Sequence, residues 1–264
     1  MATDAEAEIL YREEEPLAFI TFNRPDARNA LTLTMYDRLL ELCDKVEASG
    51  QIRVVLLTGA GTQAFVAGTD IGEFQALRVP QDAIDYEDRI DRVIDRLERL
   101  SKPTIAMIRG ACMGGGLMLA LACDFRYASP DARLGVPIAR TLGNCLSMHN
   151  YARVVDLVGP ARAKELIMLA RTLTAHEALQ MGLVNDVVPM DELEFRVREV
   201  ANTLLLLAPL TLRATKEAIR RIQARRRLDS REGEDLVVSC YMSEDFRNAV
   251  TAFLGKRSHL WVGR

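Results

Sequence analysis

Three consecutive glycines, Gly114-Gly115-Gly116, stand between two apolar segments. Upstream, Thr104 to Ile108 reads as a buried strand. Downstream, Leu117 to Ala122 is apolar without a break, as in a buried helix. A glycine inside a helix costs about 1 kcal/mol relative to alanine, so three together need a reason other than propensity. Without Cβ atoms, a ligand can come close to the backbone. The N–H groups of a first helical turn have no intrahelical acceptor and carry the positive end of the helix dipole. A strand–glycine–helix junction of this kind can hold developing negative charge. Tight packing of helix on strand is the competing reading of this segment taken alone. The spacing matches neither GxGxxG nor GxxxxGK[ST], and no lysine follows the glycines, so it is not a nucleotide-phosphate loop.

A second segment, Ala64 to Phe74, follows another buried strand and a glycine-rich turn. In it the small residues Ala67 and Gly68 precede Asp70, which can cap a helix. An exposed Ala67 amide facing the glycine turn would aim two donors at one oxygen. That is an oxyanion hole, worth several kcal/mol to an enolate or a tetrahedral intermediate.

The rest of the chain supplies a scaffold for such a junction. Leu17–Phe22, Ile52–Thr58 and Asp124–Ala128 read as further strands. Thr34 is placed to cap a helix with Met35, Leu39, Leu42 and Val46 on its apolar face. Residues 84–100 carry apolar side chains at 90, 93, 94, 97 and 100, an amphipathic helix stopped by Pro103. Beyond about residue 143 helical periods dominate. Thr174 to Glu177 forms a capping box containing His176, Leu183–Val188 is one more short strand, and helices are expected over 192–207, 209–227 and 244–254. The fold class is therefore α/β. A core of strand–strand–helix turns occupies residues 1–190, and a helical C-terminal lobe for packing and oligomerisation occupies 191–264.

Composition narrows the partners. The net charge is −3 over 264 residues, so no global positive field attracts nucleic acid. The basic cluster at Arg220-Arg221 and Arg225 to Arg227 reads as a solvated helix face. No stretch approaches the roughly 18 apolar residues of a membrane span. The acidic segment Met1–Glu8 has no apolar centre and is not expected to act as a secretory signal. Five cysteines without CxxC spacing disfavour a disulfide scaffold and a zinc site, and fit a reducing cytoplasm.

Taken together the segments resemble a known family. Asn23-Arg-Pro-Asp-Ala-Arg-Asn-Ala-Leu31, Phe65-Val-Ala-Gly-Thr-Asp-Ile71 and Lys102 to Gly116 occur in order, followed by Ala122-Cys-Asp124, Leu173 to Ala178 and Gly182-Leu-Val184. The chain resembles the crotonase superfamily, also called the enoyl-CoA hydratase/isomerase family, over roughly residues 8–258. The resemblance implies a spiral of ββα turns and a helical trimerisation lobe, assembled as a trimer or a dimer of trimers. It implies an acyl-CoA thioester as substrate, with coenzyme A as part of that substrate and neither metal nor redox cofactor. It makes the amides of Ala67 and Gly115 the oxyanion hole. Arg28, Ala30, Asp70 and Ile71 fall in the CoA groove, with Arg28 reaching phosphate. Phe253 and Lys256 match a pair that contacts CoA from a neighbouring subunit.

The departures bear on the reaction. Family hydratases use two glutamates, one taking a proton while the other gives one. At those positions this chain has Met118 and Ile138. Neither can transfer a proton, so hydration by two glutamates, and isomerisation through the second, are not expected. Other groups placed near the pocket are Thr69, Glu73, Arg140, Asn144, Cys145 and His149. Of these, Glu73 reads first as a complement to a helix dipole, His149 as structural and Cys145 as packing. The segments Ser147 to Asn150, Ala163 to Ile167 and Ser243 to Arg257 are similar to the family's methylmalonyl-CoA decarboxylase branch. The pocket histidine and tyrosine of that branch fall at Thr69 and Gly143. Decarboxylation needs the oxyanion hole and no strong base, so it stands as the alternative, beside a catalytically inactive CoA-binding protein.

Overall fold

The computed structural model describes residues 7–264. Of the acidic Met1–Glu8 segment, residues 1–6 lie outside the described residues. A hairpin of β1 (Ile9–Glu14) and β2 (Leu17–Phe22) leads into α1 (Leu33–Ala48). Three similar turns follow. The first is β3 (Val54–Gly59), β4 (Ala64–Val66) and α2 (Pro80–Glu98). The second is β5 (Thr104–Ile108), β6 (Ala111–Met113) and α3 (Gly115–Ala122), and the third is β7 (Phe125–Ala128), β8 (Arg133–Gly135) and α4 (Ile138–Thr141).

In each turn the first strand joins one sheet and the second joins another. The large sheet runs β1-β2-β3-β5-β7-β10, with β10 at Asp186–Val187. The small sheet runs β4-β6-β8-β9, with β9 at Thr172–Thr174. Pairing from turn to turn is parallel in both sheets. This is the expected spiral of ββα turns. Because successive strand residues face opposite ways, Ala18, Ile20, Val55 and Leu57 enter the main core while Leu17, Phe19, Val54 and Leu56 face a second one. The second core is closed by Leu193, Val197, Ala201 and Leu204 of α7 (Leu193–Leu206).

Three local expectations are corrected. The cap of α1 is Thr32, whose Oγ1 accepts the Met35 amide at 3.1 Å, because the helix starts one residue before Thr34. The amphipathic helix α2 begins at Pro80, whose fixed φ suits a first turn. Strand Leu183–Val188 shrinks to two residues, since only Asp186 and Val187 reach the edge of β7. The remaining helices are α5 (Met148–Met168), α6 (Ala175–Gln180), α8 (Pro209–Ala224), α9 (Glu234–Tyr241) and α10 (Glu244–Leu254). None among the described residues is long and apolar enough to cross a membrane.

Candidate functional site

The glycine triplet turns the chain from β6 into α3, directly against β4. A Cβ on Gly116 would run into the carbonyl and side chain of Val66, so glycine is required for the helix to start this close to the strand. The Gly114 amide donates to the Gly135 carbonyl at 2.9 Å. Gly115 is the first residue of α3, and its amide has no acceptor among the described residues.

The facing loop contains Ala67, Gly68 and Thr69. Leu31 bridges it: its amide donates to the Gly68 carbonyl at 2.9 Å, and its carbonyl accepts from the Asp70 amide at 2.8 Å. The Ala67 amide donates to the Arg28 carbonyl at 3.1 Å. It is therefore already bonded and cannot serve as an oxyanion donor, contrary to the expectation. The loop amides with no acceptor among the described residues are those of Gly68 and Thr69, and of the two it is Thr69 whose side chain meets the Gly115 turn. Gly68, at φ +117°, interrupts the regular alternation between Ala67 and Thr69. The loops touch closely, since a Cβ on Gly115 would stand 3.3 Å from Thr69 Oγ1 and 2.6 Å from Tyr36 Oη.

These loops form one wall of a cavity of about 210 Å³. Met118, 1% exposed, and Ile138 line it, so both positions where acids were missed are apolar and face the same space. Ala67, Thr69, Ile71, Asn144 and Cys145 also line it, as does Phe253. Phe253 lies at the cavity of its own chain and is half exposed. A hydrogen bond with Cys240 and burial push the Cys145 thiol up, which keeps it protonated.

The other expected groups lie apart from the cavity wall. Arg28, Arg140, His176 and Lys256 are exposed. The Glu73 carboxylate accepts the Leu33 amide at 3.2 Å and so caps α1. Both carboxylate oxygens of Asp70 are engaged, one by Arg24 at 2.9 Å and one by the Gly72 amide at 3.0 Å. Arg24 also donates to the Ala30 carbonyl at 2.7 Å, tying that loop to Asp70. Asn29, fully buried, donates to the carbonyls of Ala60 and Ala64, which accounts for part of the Asn23–Leu31 motif. His149 sits behind the wall, its Nδ1 3.5 Å from Asp95 and 3.8 Å from Asp91, and the contact with Asp95 raises its pKa.

Sequence reasoning missed the polar lining. Tyr36 and Tyr86 both meet Thr69 Oγ1, at 3.1 and 3.2 Å. Burial raises both phenols, so they stay protonated. Glu87 on α2 also lines the cavity and is 8% exposed. Tyr241 Oη donates to Glu87 Oε1 and accepts from Asn144 Nδ2 at 3.2 Å. Burial pushes Glu87 up to about 8. The available signal was an acid at position 87, in register with the apolar positions 90 and 94.

Parallel strand pairs stacked turn on turn, with a cavity walled by facing backbone loops, define a spiral α/β fold with a candidate binding site at that cavity. The Enoyl-CoA hydratase/isomerase family profile matches residues 12–264. The short-chain-enoyl-CoA hydratase of Clostridium acetobutylicum is 36% identical over 254 residues, covering 94% of this chain and 95% of that one. The crystal structure of an enoyl-CoA hydratase/carnithine racemase from Magnetospirillum magneticum has 34% identity and a TM-score of 0.80, covering 98% of this chain and 96% of that one. A methylmalonyl-CoA decarboxylase in complex with 2-nitronate-propionyl-CoA has 27% identity and a TM-score of 0.89, covering 98% and 99%. The chain belongs to the enoyl-CoA hydratase/isomerase family, within the crotonase superfamily.

Proposed function

We propose that the protein is an acyl-CoA enzyme, a lyase or isomerase, that stabilises a thioester enolate between the amides of Thr69 and Gly115. The observation that carries this reading is the pair of acceptor-free amides on loops in van der Waals contact at the wall of an apolar cavity. In a site poor in water, fixed donors stabilise charge on the carbonyl oxygen without reorganising. Arg28 and Lys256 are exposed cations suited to CoA phosphates, and Ala30 and Asp70-Ile71 lie on two loops that Arg24 ties together. Coenzyme A enters as part of the substrate. The odd number of cysteines fits a cytoplasmic setting. The helical C-terminal lobe supports assembly as a trimer or a dimer of trimers.

Crotonyl-CoA hydration is expected to be slow, because Met118 and Ile138 cannot handle the protons of water addition. General acid–base groups contribute about 10²- to 10⁴-fold each. Loss of a carboxylate from a malonyl-type thioester is the second reading. It is supported by the apolar wall, which desolvates a carboxylate, and by the TM-score of 0.89 to a decarboxylase. The test combines propionyl-CoA binding by calorimetry with turnover of crotonyl-CoA and methylmalonyl-CoA. Binding with crotonyl-CoA hydration at least about 100-fold below that of a two-glutamate relative is expected. Absence of binding contradicts the thioester reading, and hydration at the relative's rate contradicts the reading of Met118 and Ile138.

A further inference from the structure

The geometry points to Glu87 as the catalytic acid–base residue of this cavity, exchanging a proton with the α-carbon of the bound thioester. This rests on the reading that an enolate forms against Thr69 and Gly115. Glu87 comes from α2, an element that carries neither of the positions occupied by Met118 and Ile138, yet it lines the same cavity. It supplies the carboxylic acid of a lining whose other side chains are apolar, phenolic, hydroxyl, thiol or amide.

A buried carboxyl with no cation beside it is held neutral by desolvation. The titratable groups that face Glu87 are Tyr241 from α9, Tyr36 from α1, Cys145 before α5, Tyr151 on α5, and Tyr86, Asp88 and Asp91 on its own helix. None of these is a cation. The carboxyl therefore titrates near neutrality rather than in the usual acidic range, at about 8. An acid–base group is most effective when its pKa lies close to the working pH.

Its partners suit both protonation states. Tyr241 donates to Oε1, and the nearby Ser147 backbone favours the charged carboxylate. Asn144 donates to Tyr241 Oη, which directs the phenolic proton towards Glu87. In the forward step the carboxyl O–H bond breaks and a C–H bond forms at the α-carbon. The enolate electrons re-form the thioester carbonyl. Negative charge passes from the oxygen held by the two amides to the Glu87 carboxylate, where Tyr241 and Ser147 receive it. The reverse step takes the α-proton, and neither direction needs a co-reactant.

The test is deuterium uptake from D2O into the α-position of propionyl-CoA, followed by mass spectrometry. Wild type is expected to exchange. Glu87→Gln should lose at least about 100-fold in exchange rate while propionyl-CoA affinity stays within about threefold. Exchange retained within about threefold in a folded Glu87→Gln overturns the assignment alone. Wild type that binds propionyl-CoA without exchange also overturns it alone, whereas no binding at all overturns the thioester reading with it. Tyr241→Phe gives a second measure should Glu87→Gln not fold. Loss of the phenol donor, which lowers the Glu87 pKa, should move the pH midpoint of exchange upward, and an unmoved midpoint overturns the proposal.

Discussion

Glu87 leaves a mark on stability as well as on chemistry. Its ordinary value is 4.5, and burial raises it to about 8 in the native state. Between those values the native chain keeps a proton that the unfolded chain has lost. The contribution of Glu87 to stability is therefore greatest below pH 4.5 and falls as pH rises towards 8. Asp91, one turn on and raised to about 6 by burial, acts with the same sign over a lower window. Glu87→Gln removes only the first contribution. The melting temperature of the variant relative to wild type should therefore climb by on the order of 5 °C between pH 5 and pH 8.5. Scanning calorimetry at both pH values checks this, and a pH-independent difference contradicts it. The same residue shows what was hidden at this scale. Whether a carboxylate on an amphipathic helix faces solvent or a cavity depends on what packs opposite, here Tyr241 from more than a hundred residues away. Thr69 was hidden for a related reason: the small residues around it are legible, but which amide lacks an acceptor depends on the Arg28 carbonyl.

Elements were more legible than side-chain roles, because period and burial act locally. The continuous apolar runs of β3 and β5 mark strands buried on both faces, and each divides between two cores as alternation requires. The edge strand β10, two residues long, carries too little pattern to delimit. At α3, all residues from Gly116 to Ala122 are buried, so no polar face exists to give a helical period, and the glycines alone mark its start. They also divide the work. Gly116→Ala forces a Cβ against Val66 and should cost about 1–3 kcal/mol. Gly115→Ala instead meets Tyr36 Oη, at the cavity wall. Thermal melts with propionyl-CoA titrations should separate the two. Gly116→Ala should lower the melting temperature by several degrees, whereas Gly115→Ala should weaken thioester binding at least about tenfold with a smaller stability loss. Equal effects on both readouts contradict this division.

Across the whole molecule, the C-terminal helices are not equally satisfied. Helix α7 closes the second core, and α9 and α10 pack over the cavity, where Tyr241 and Phe246 meet Phe74 and Tyr86. Helix α8 differs, since none of its residues is buried although its composition is amphipathic. Ile219 and Ile222 are exposed along one side of it, Leu210, 76% exposed, projects from another, and Leu206 and Phe195 of α7 are exposed as well. Scattered apolar residues are ordinary on a surface, whereas an apolar stripe on one helix beside a second one marks an interface. A closed ring of identical subunits covers such a stripe on every copy at once. The proposed trimer or dimer of trimers therefore predicts a mass by light scattering of three or six times the 29.5-kDa chain at micromolar concentration. Ile219→Glu with Ile222→Glu should release monomers that keep the helical circular-dichroism signal, because neither side chain belongs to a core. A wild-type monomer at that concentration, or a double variant with unchanged mass, places the interface elsewhere and leaves the stripe on α8 without a role in assembly.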